Sequence, residues 1–231
     1  MVVILITSLL TAIMFPGLSA ARESAHRLMC ASNMRQIGTG IILFSTDHND
    51  RIPKSELAAR GRALDQMALT CTEEEFPDPA VPVQHQLDGL GILLGEGYCD
   101  ATSCMFCASH RNTHSSARYE RVLLKTRSLI RFSEGAFSNY QYVGRRSGDI
   151  QNLPLTDDRL LVTDGFRTQL DVNHLRGMNR LFGDLSIDWW ADATDSFFLA
   201  LPVWPVESPE LQTELFNEAW QACSQGDRLQ D

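Results

Sequence analysis

The first eighteen residues form an unbroken apolar run, MVVILITSLLTAIMFPGL, with no charged side chain. As a helix rising about 1.5 Å per residue, the run would cover about 27 Å, close to the roughly 30 Å of a hydrocarbon core. The pattern predicts one membrane span, with a cleaved signal peptide or a buried core helix as alternatives. The residues expected to anchor the chain are Val2, Val3, Ile4, Leu9, Leu10, Ile13, Phe15 and Pro16.

The helix is predicted to continue past the apolar run, because residues 19–36 are rich in Ala, Arg and Met and contain no proline. The first turns are polar all round, and we expect Glu23 to lie there in solvent, where replacement by alanine changes little. Apolar residues then recur at alternating spacings of four and three, which makes a stripe that packs on a domain. The stripe is Cys30, Met34, Ile37, Ile41 and Phe44. Turn formers at 47–50 and Pro53 end a single helix of about 45 residues.

Short apolar runs separated by Gly, Asn and Asp predict antiparallel strands in the second half of the chain. The expected strands are Gly135 to Tyr142, Leu160 to Thr163, Asn179 to Phe182 and Ser186 to Trp190. The last two would form a hairpin centred on Gly183-Asp184. A helix laid over such a sheet is an α+β arrangement.

The remaining segments complete the predicted organisation. Residues 51–81 show little periodicity and predict an irregular connection, with a short helix possible between Ser55 and Leu69. A C-terminal helix with a frayed end is predicted from the periodicity of Leu211, Leu215, Ala219 and Trp220. The expected division is a transmembrane part at 1–21, an amphipathic half-helix at 22–46, an α+β domain at 47–206, and a C-terminal helix and tail at 207–231.

Length and charge narrow the class of protein. The chain has 231 residues, which suits one large domain or a helix plus a domain. The formal net charge is −9, and the sequence has no basic cluster. Because binding to phosphates needs concentrated cations, we expect no nucleic-acid partner.

Several short motifs along the chain match one known family. They are Phe15-Pro16-Gly17-Leu18, Ala21-Arg22-Glu23, Cys30, Asn33-Met34-Arg35-Gln36-Ile37-Gly38, Gly89-Leu90-Gly91-Ile92-Leu93-Leu94 with Tyr98, Phe106-Cys107, and His174 and Asp184 at H-x9-D spacing around Asn179 to Phe182. The chain resembles type IV pilin-like proteins with a prepilin-type N-terminal region, in the family of type II secretion pseudopilin-like (general secretion pathway protein G-like) proteins that carry a C-terminal H-x9-D-G motif.

The resemblance implies a pilin-like fold and a non-enzymatic structural subunit of a secretion or pilus-like envelope system. Its expected partners are like subunits, met through the N-terminal helix, and membrane lipid. The expected location is the cytoplasmic (inner) membrane, crossed once, with the C-terminal domain in the periplasm or outside the cell. His174, Asp184, Asn179 and Phe182 would be motif residues with structural roles, and no catalytic residue is expected.

Two departures from the family pattern stand out. Aligning Pro16 with the family proline puts Met1 at about mature position seven, so we expect the leader and its processing site to be encoded upstream. Leu185 stands where the family motif has glycine. A left-handed turn at that position would strain leucine, so the turn at Asp184 is expected to differ.

Cysteines and histidines cluster between residues 99 and 114. Three of the six cysteines, Cys99, Cys104 and Cys107, precede His110 and His114 as C-x4-C-x2-C-x2-H-x3-H. One disulfide among the three cysteines is favoured for an oxidising compartment, and no bond or a zinc site remain as alternatives. The spacing is tight for zinc, whose usual ligand pairs lie a dozen residues or more apart. Cys30 is expected to be a small, unpaired core side chain.

The pair His174 and Asp184 has a catalytic and a structural interpretation. As a base and its orienting carboxylate, the pair would need a nucleophile nearby, and none stands out in the sequence. We therefore expect the two side chains to brace loops by hydrogen bonds. Calcium is also considered for two acidic groups, although neither matches the EF-hand pattern, so helix capping is favoured and no cofactor is expected. These groups are Asp47, Asn49 and Asp50, and Asp184, Asp188, Asp192 and Asp195.

The favoured function is therefore the pilin-like subunit. A second hypothesis is a membrane-anchored periplasmic binding module that does not assemble. A third, less favoured, is an anchored metal-dependent hydrolase that uses the Cys/His cluster.

Overall fold

The structure is a computed structural model of the chain. It describes residues 2–71, 87–111, 114–119, 135–144, 153–174 and 176–225, with the backbone alone at 2, 5, 8–16, 58 and 59. Residues 72–81 of the predicted connection and the predicted frayed end at 226–231 lie outside the described residues.

One continuous helix, α1, spans Val2–Asp47 and confirms the predicted single helix. It ends where the chain turns on itself: the amides of His48 and Asp50 both donate to the carbonyl of Ser45. Asn49 and Asp50 follow with φ of 56° and 58°, the left-handed conformation that commonly terminates helices. Asn and Asp tolerate this conformation better than other non-glycine residues, which explains the stop at this point.

The predicted apolar stripe of α1 is buried. Cys30, Met34, Ile37 and Ile41 are 0% exposed and Phe44 is 4% exposed, all within the larger of the two main core clusters. On the same side of the helix, Gly38 lets α1 approach the side chain of Leu185 closely, because a Cβ at position 38 would lie only 2.7 Å from that side chain. Burial of these regularly spaced apolar residues thus attaches the second half of α1 to the domain.

The sheet has four antiparallel strands in sequential order. They are β1 (Tyr140–Tyr142), β2 (Leu160–Asp164), β3 (Gly177–Phe182) and β4 (Ile187–Ala191). All four predicted strands are present, so the α+β class is confirmed. The first is shorter than predicted, because its leading residues form isolated contacts such as the bridge between Phe137 and Ala68.

The β3–β4 hairpin turns at Asp184 and Leu185. Leu185 adopts φ of 64°, so the left-handed position is kept although leucine replaces the family glycine. The turn therefore does not avoid the strained conformation, contrary to our expectation. The cost, on the order of 1–3 kcal/mol, is offset by packing of the Leu185 side chain beside Gly38 of α1.

Short helices occupy the connection before the sheet. The helix considered between Ser55 and Leu69 is broken into α2 (Glu56–Ala59) and a 3-10 turn at Ala63–Asp65. Helix α3 (Leu90–Gly95) and a second 3-10 turn (Thr102–Met105) follow.

Two helices follow the sheet, α4 (Ser196–Ala200) and α5 (Pro209–Gln225), and α5 confirms the predicted C-terminal helix. Of the residues that predicted this helix, Ala219 is buried and Leu215 and Trp220 pack partly buried against the second core cluster, whereas Leu211 is exposed. Gln212, Phe216 and Cys223 are also buried. The buried Arg180 of the sheet also contacts α5. Arg180 of β3 pairs with Asp188 at 2.6 Å and donates to the carbonyl of Cys223.

The described side chains at the N-terminal end of α1 are exposed. Val3 and Ile4 are 72% and 69% exposed, and the described side chains before Glu23 are all exposed. The other six predicted anchor residues have no described side chain. Within the described part of the chain, no helix combines the length and mean hydropathy that crossing a membrane requires.

A buried carboxyl group holds the connection against α3. Asp88 accepts a hydrogen bond from Ser55 Oγ at 2.7 Å and one from the amide of Glu56 at 2.5 Å. Complete burial raises the pKa of Asp88 to about 7, although both hydrogen bonds oppose the rise. The folded chain therefore favours the protonated form of Asp88 more strongly than the unfolded chain does.

The seating of α1 predicts unequal effects for two neighbouring substitutions. Ile41→Asp should lower the free energy of unfolding by about 2–4 kcal/mol, because it places an unpaired carboxylate in the core. Leu43→Asp is the matched control, since Leu43 is exposed on the same helix and the change should cost little. Urea unfolding of both variants measures the difference. Equal loss of stability would show that the buried face of α1 is assigned wrongly.

Asp88 predicts a pH dependence of stability. Because folding raises the pKa of Asp88, the stability that this residue contributes is complete below the pKa of the unfolded chain, near 3.8. That stability is lost as the pH rises to about 7. Asp88→Asn removes this dependence. Between about pH 5 and about pH 8, the wild type should lose on the order of 2 kcal/mol relative to the variant. Urea midpoints at the two pH values test this, and a constant difference would contradict the buried titration.

Candidate functional site

Helix α1 brings polar side chains and a cysteine onto the domain at one place. Glu23, Arg27 and Cys30 are spaced by four and three residues and therefore share a face of the helix. They meet Cys107, just after the second 3-10 turn, and His174, in the loop between β2 and β3. The site thus joins three parts of the chain that are far apart in sequence.

Cys30 and Cys107 form a disulfide across a sequence separation of 77. The prediction of Cys30 as an unpaired core side chain is therefore wrong, although Cys30 is buried. The stripe of α1 that seats the helix also carries this thiol directly onto Cys107. In the chain-entropy account, a cross-link over such a loop stabilises the fold by on the order of 4 kcal/mol.

His174 lies beside the disulfide and is 1% exposed. Its Nδ1 is 2.5 Å from Oε1 of Glu23, while its Nε2 is 3.6 Å from Sγ of Cys107 and 3.7 Å from Oδ2 of Asp164. When Glu23 is ionised, Nδ1 carries the ring proton and donates a hydrogen bond to the carboxylate. Nε2 then faces the sulfur of Cys107 and the carboxyl group of Asp164.

The sequence predicted that Glu23 lies free in solvent, and this prediction is wrong. Its side chain is 42% exposed and accepts hydrogen bonds from Ser109 Oγ, at 3.0 Å, and from His174. Partial burial raises the pKa of Glu23, but the hydrogen bonds outweigh it and leave the pKa below its usual value. The associated stability is therefore present at neutral pH and is lost as the pH falls through the lowered pKa.

Asp164, the last residue of β2, is a buried acceptor. It receives hydrogen bonds from Nδ2 of Asn173 at 2.9 Å, from the amide of Asn179 at 2.6 Å and from Nδ2 of Asn179 at 3.0 Å. Complete burial raises the pKa of Asp164, while the nearby His174 and the amide donors oppose the rise. Asn179, predicted as a structural motif residue, acts here by orienting this carboxyl group.

Aromatic and cationic side chains cover the outer side of His174. The ring of Trp189 meets the imidazole edge-to-face at 5.5 Å between centroids. The guanidinium of Arg27 stacks on Trp189 at 3.8 Å, so α1 closes the site with a cation–π contact as well as with Glu23.

The structure does not pair His174 with Asp184, so the two side chains do not brace one another directly; each makes hydrogen bonds to another residue. Asp184 Oδ1 accepts hydrogen bonds from the amide and hydroxyl of Ser186, at 2.9 and 2.5 Å, and so stabilises its own turn. The H-x9-D spacing spans β3, which places the two residues at opposite ends of that strand. Phe182, the remaining motif residue, is buried in the second core cluster.

The cysteines and histidines of the 99–114 motif are divided among separate environments. The Sγ atoms of Cys99 and Cys104 lie 2.9 Å apart as free, hydrogen-bonded thiols. That hydrogen bond lowers the pKa of Cys99 to about 7 and raises the pKa of Cys104. Cys107, the third predicted disulfide candidate, bonds to Cys30 instead.

The two histidines of the motif belong to other networks. His110 Nδ1 lies 3.1 Å from Oδ1 of Asn173. His114 lies 2.7 Å from both Tyr119 OH and Nη2 of Arg167. Burial and the Arg167 charge lower the pKa of His114 to about 4, so its 3.3 Å approach to Asp171 is not an ion pair at neutral pH. The five residues therefore do not form one zinc site.

The acidic groups considered for calcium have local roles. Asp47 accepts a hydrogen bond from Tyr98 OH at 2.8 Å, and Asp188 pairs with Arg180. Asp192 accepts from the amide of Phe198 at 3.1 Å, within the first turn of α4. Asp195 is the residue that precedes this helix. Of these contacts, only that of Asp192 resembles a helix cap, and Asp195 makes no side-chain capping hydrogen bond.

Four donor groups converge where the sequence had not placed a site. One ligand atom from each of Cys30, Cys107, Asp164 and His174 lies within 4.8 Å of every other, and all four residues are buried. Because the two sulfurs are joined in the disulfide, neither is available as a thiolate ligand. All four donor residues are buried, so a substrate has no direct access to them. Sequence analysis had singled out His174 and Cys107 but not Asp164, whose only local signal is a turn after a strand.

A comparison of the chain with protein-family models, curated proteins and solved structures finds no match.

The geometry predicts that His174 couples to Glu23 and not to Asp184. In a double-mutant cycle at neutral pH, Glu23→Ala and His174→Ala should cost about 1 kcal/mol less together than the sum of the single changes, since they share one partly exposed hydrogen bond. The cycle of His174→Ala with Asp184→Ala is the control and should be additive within about 0.5 kcal/mol. Urea unfolding provides all the values. Coupling in the control cycle would restore the direct brace.

Proposed function

We propose that the chain is a membrane-anchored, pseudopilin-like structural subunit of a secretion or pilus-like envelope system, without enzymatic activity. The observation that carries this proposal is the division of α1. One half exposes apolar side chains such as Val3, Ile4 and Leu18, and the other half packs its apolar stripe on the domain and is cross-linked to the domain at Cys107. A single helix therefore offers an apolar extension and a fixed attachment to a domain.

The physical logic of such a subunit follows from backbone hydrogen bonding. In lipid an α-helix satisfies its own backbone groups, so the exposed half of α1 is stable as a membrane anchor. When like subunits are extracted from the membrane, lateral packing of these halves covers the same apolar surface. Membrane lipid and like subunits are therefore the proposed partners, with the inner membrane as the location and the sheet domain on its outer side.

A long N-terminal helix laid on an antiparallel sheet also supports the pilin-like assignment of the fold. The matched motifs acquire physical reasons in this chain. Cys30 and the Phe106-Cys107 motif meet in the disulfide. Gly38, at the end of the Asn33 to Gly38 motif, lets α1 approach the hairpin turn at Leu185.

The polar site supports a structural role more than a catalytic one. His174 and Asp164 are fully buried, and their hydrogen bonds join α1 to β2 and β3. The anchored hydrolase is disfavoured as well, because the ligands proposed for it from the 99–114 motif lie in separate environments.

One observation favours a binding module as the second candidate. An open groove of about 610 Å³ lies between α1 and residues 108–111. Its lining includes the cationic Arg22 and Arg111 beside the single carboxylate of Glu23, an excess of positive charge that would suit an anionic envelope polymer.

Photo-cross-linking in bacterial membranes distinguishes the two candidates. A photoreactive amino acid at Leu18 should cross-link like subunits, because the exposed half of α1 would pack against its copies. The same group at Gln221, exposed on α5, is the control and should give far fewer cross-links. The full chain should remain in the membrane after alkaline carbonate extraction.

Each result has a separate meaning. Recovery of the full chain in the soluble periplasm would contradict the anchor. Membrane retention without cross-links at Leu18 would favour the binding module.

A further inference from the structure

We propose that reduction of the Cys30–Cys107 disulfide converts the buried cluster into a zinc site. The ligands are Sγ of Cys30, Sγ of Cys107, Nε2 of His174 and a carboxylate oxygen of Asp164. The inference rests on the cluster alone and holds whether or not the chain assembles into a filament.

The distances already approach those of a zinc tetrahedron. With Zn–S near 2.3 Å and Zn–N near 2.0 Å, neighbouring ligand atoms lie about 3.3–3.8 Å apart. Nε2 of His174 is 3.6 Å from Sγ of Cys107 and 3.7 Å from Oδ2 of Asp164. All four ligand atoms fall within 4.8 Å of one another, so modest side-chain movement completes the site once the sulfurs separate.

The surrounding hydrogen bonds are those that zinc ligands use. A zinc-bound histidine commonly donates its second ring nitrogen to a carboxylate, which fixes the tautomer and the ring orientation. Here Nδ1 of His174 is held by Glu23 at 2.5 Å, which leaves Nε2 facing the sulfur and Asp164. Asp164 is held in turn by Asn173 and Asn179.

A disulfide alone does not account for these neighbours. A disulfide sulfur is a weak acceptor that needs no imidazole or carboxyl group beside it. The 3.7 Å contact of Nε2 with Oδ2 of Asp164 is longer than the 2.7–3.2 Å of an ordinary N–H···O hydrogen bond. A zinc ion bound between Nε2, Asp164 and two thiolates would use all four groups and offset two of the three negative charges that the thiolates and an ionised Asp164 bring.

The conversion balances in two steps. A dithiol reductant transfers two electrons and two protons to the Cys30–Cys107 bond and becomes a disulfide itself, leaving two protein thiols. Zinc then binds both sulfurs, and the two thiol protons pass to solvent. Oxidation by a disulfide-bearing partner reverses both steps and releases the cation.

Both states tie α1 to the domain. In the oxidised chain the tie is the covalent bond, and in the reduced chain it is the metal, which binds Cys30 from the helix and three ligands from the domain. Reduction therefore exchanges one cross-link for another, and the attachment of the helix persists.

The test uses the full chain, purified in detergent and reduced with a phosphine, because a dithiol would itself bind zinc. Titration with Zn²⁺ against a chromophoric chelator should show one tightly bound ion per reduced chain and none per oxidised chain. Titration with Co²⁺ should give the visible absorption of a tetrahedral ion and near-ultraviolet thiolate-to-cobalt charge transfer. These two readouts need no variant.

Variants locate the site. Cys107→Ser and His174→Ala should each weaken Zn²⁺ binding at least about tenfold, and Glu23→Gln, which alters a positioning residue, by about 10- to 100-fold. The Cys99→Ser/Cys104→Ser double variant is the matched control and should bind as the parent does. Far-ultraviolet circular dichroism checks that each variant retains its helix and sheet content.

Four outcomes would overturn the proposal. They are a reduced chain that takes up no Zn²⁺, equal uptake by the oxidised chain, octahedral cobalt spectra without thiolate charge transfer, and loss of binding in the Cys99→Ser/Cys104→Ser control. The first three are read on the parent protein, so a variant that fails to fold does not remove the test.

Discussion

The attachment of one half of α1 to the sheet is the constraint on which the rest of the structure depends. Apolar burial by Ile37 and Ile41 supplies much of the driving force, but it is non-directional and tolerates sliding of the helix along its axis. The disulfide and the Glu23–His174 contact remove that freedom, because each needs its partner within a few ångströms. Position and rotation of the exposed half are thereby fixed as well.

Much of the fold could be predicted from local patterns. The stripe of α1 and the strand alternation repeat within a few residues, so the sequence carries them directly. The errors in the fold arose where tertiary contacts override local preference. Helix α5 buries Phe216 in the second core cluster and leaves Leu211 exposed, since packing on that cluster orients the helix. Leu185 keeps a left-handed turn because Gly38 leaves room for its side chain.

The polar site could be predicted only in part. The sequence singled out His174 and Cys107 as motif residues, but their partners Glu23 and Cys30 lie 151 and 77 residues away. No periodicity links positions so far apart. The fixed H-x9-D spacing suggested Asp184 instead, although a six-residue strand separates the two residues. Asp164 terminates a strand, a position where an aspartate usually indicates a turn.

Burial of the polar groups is difficult to explain by stability alone. Replacing a buried, hydrogen-bonded ionisable group with well-packed apolar side chains is often neutral or stabilising. The disulfide and the apolar stripe already hold α1, so Asp164 and His174 are not needed to attach the helix. What these groups add is direction, since two asparagines hold the carboxyl group of Asp164, and Glu23 holds the imidazole of His174 with Nε2 aimed at Sγ of Cys107. Such aim has a physical purpose when something positively charged is bound between them.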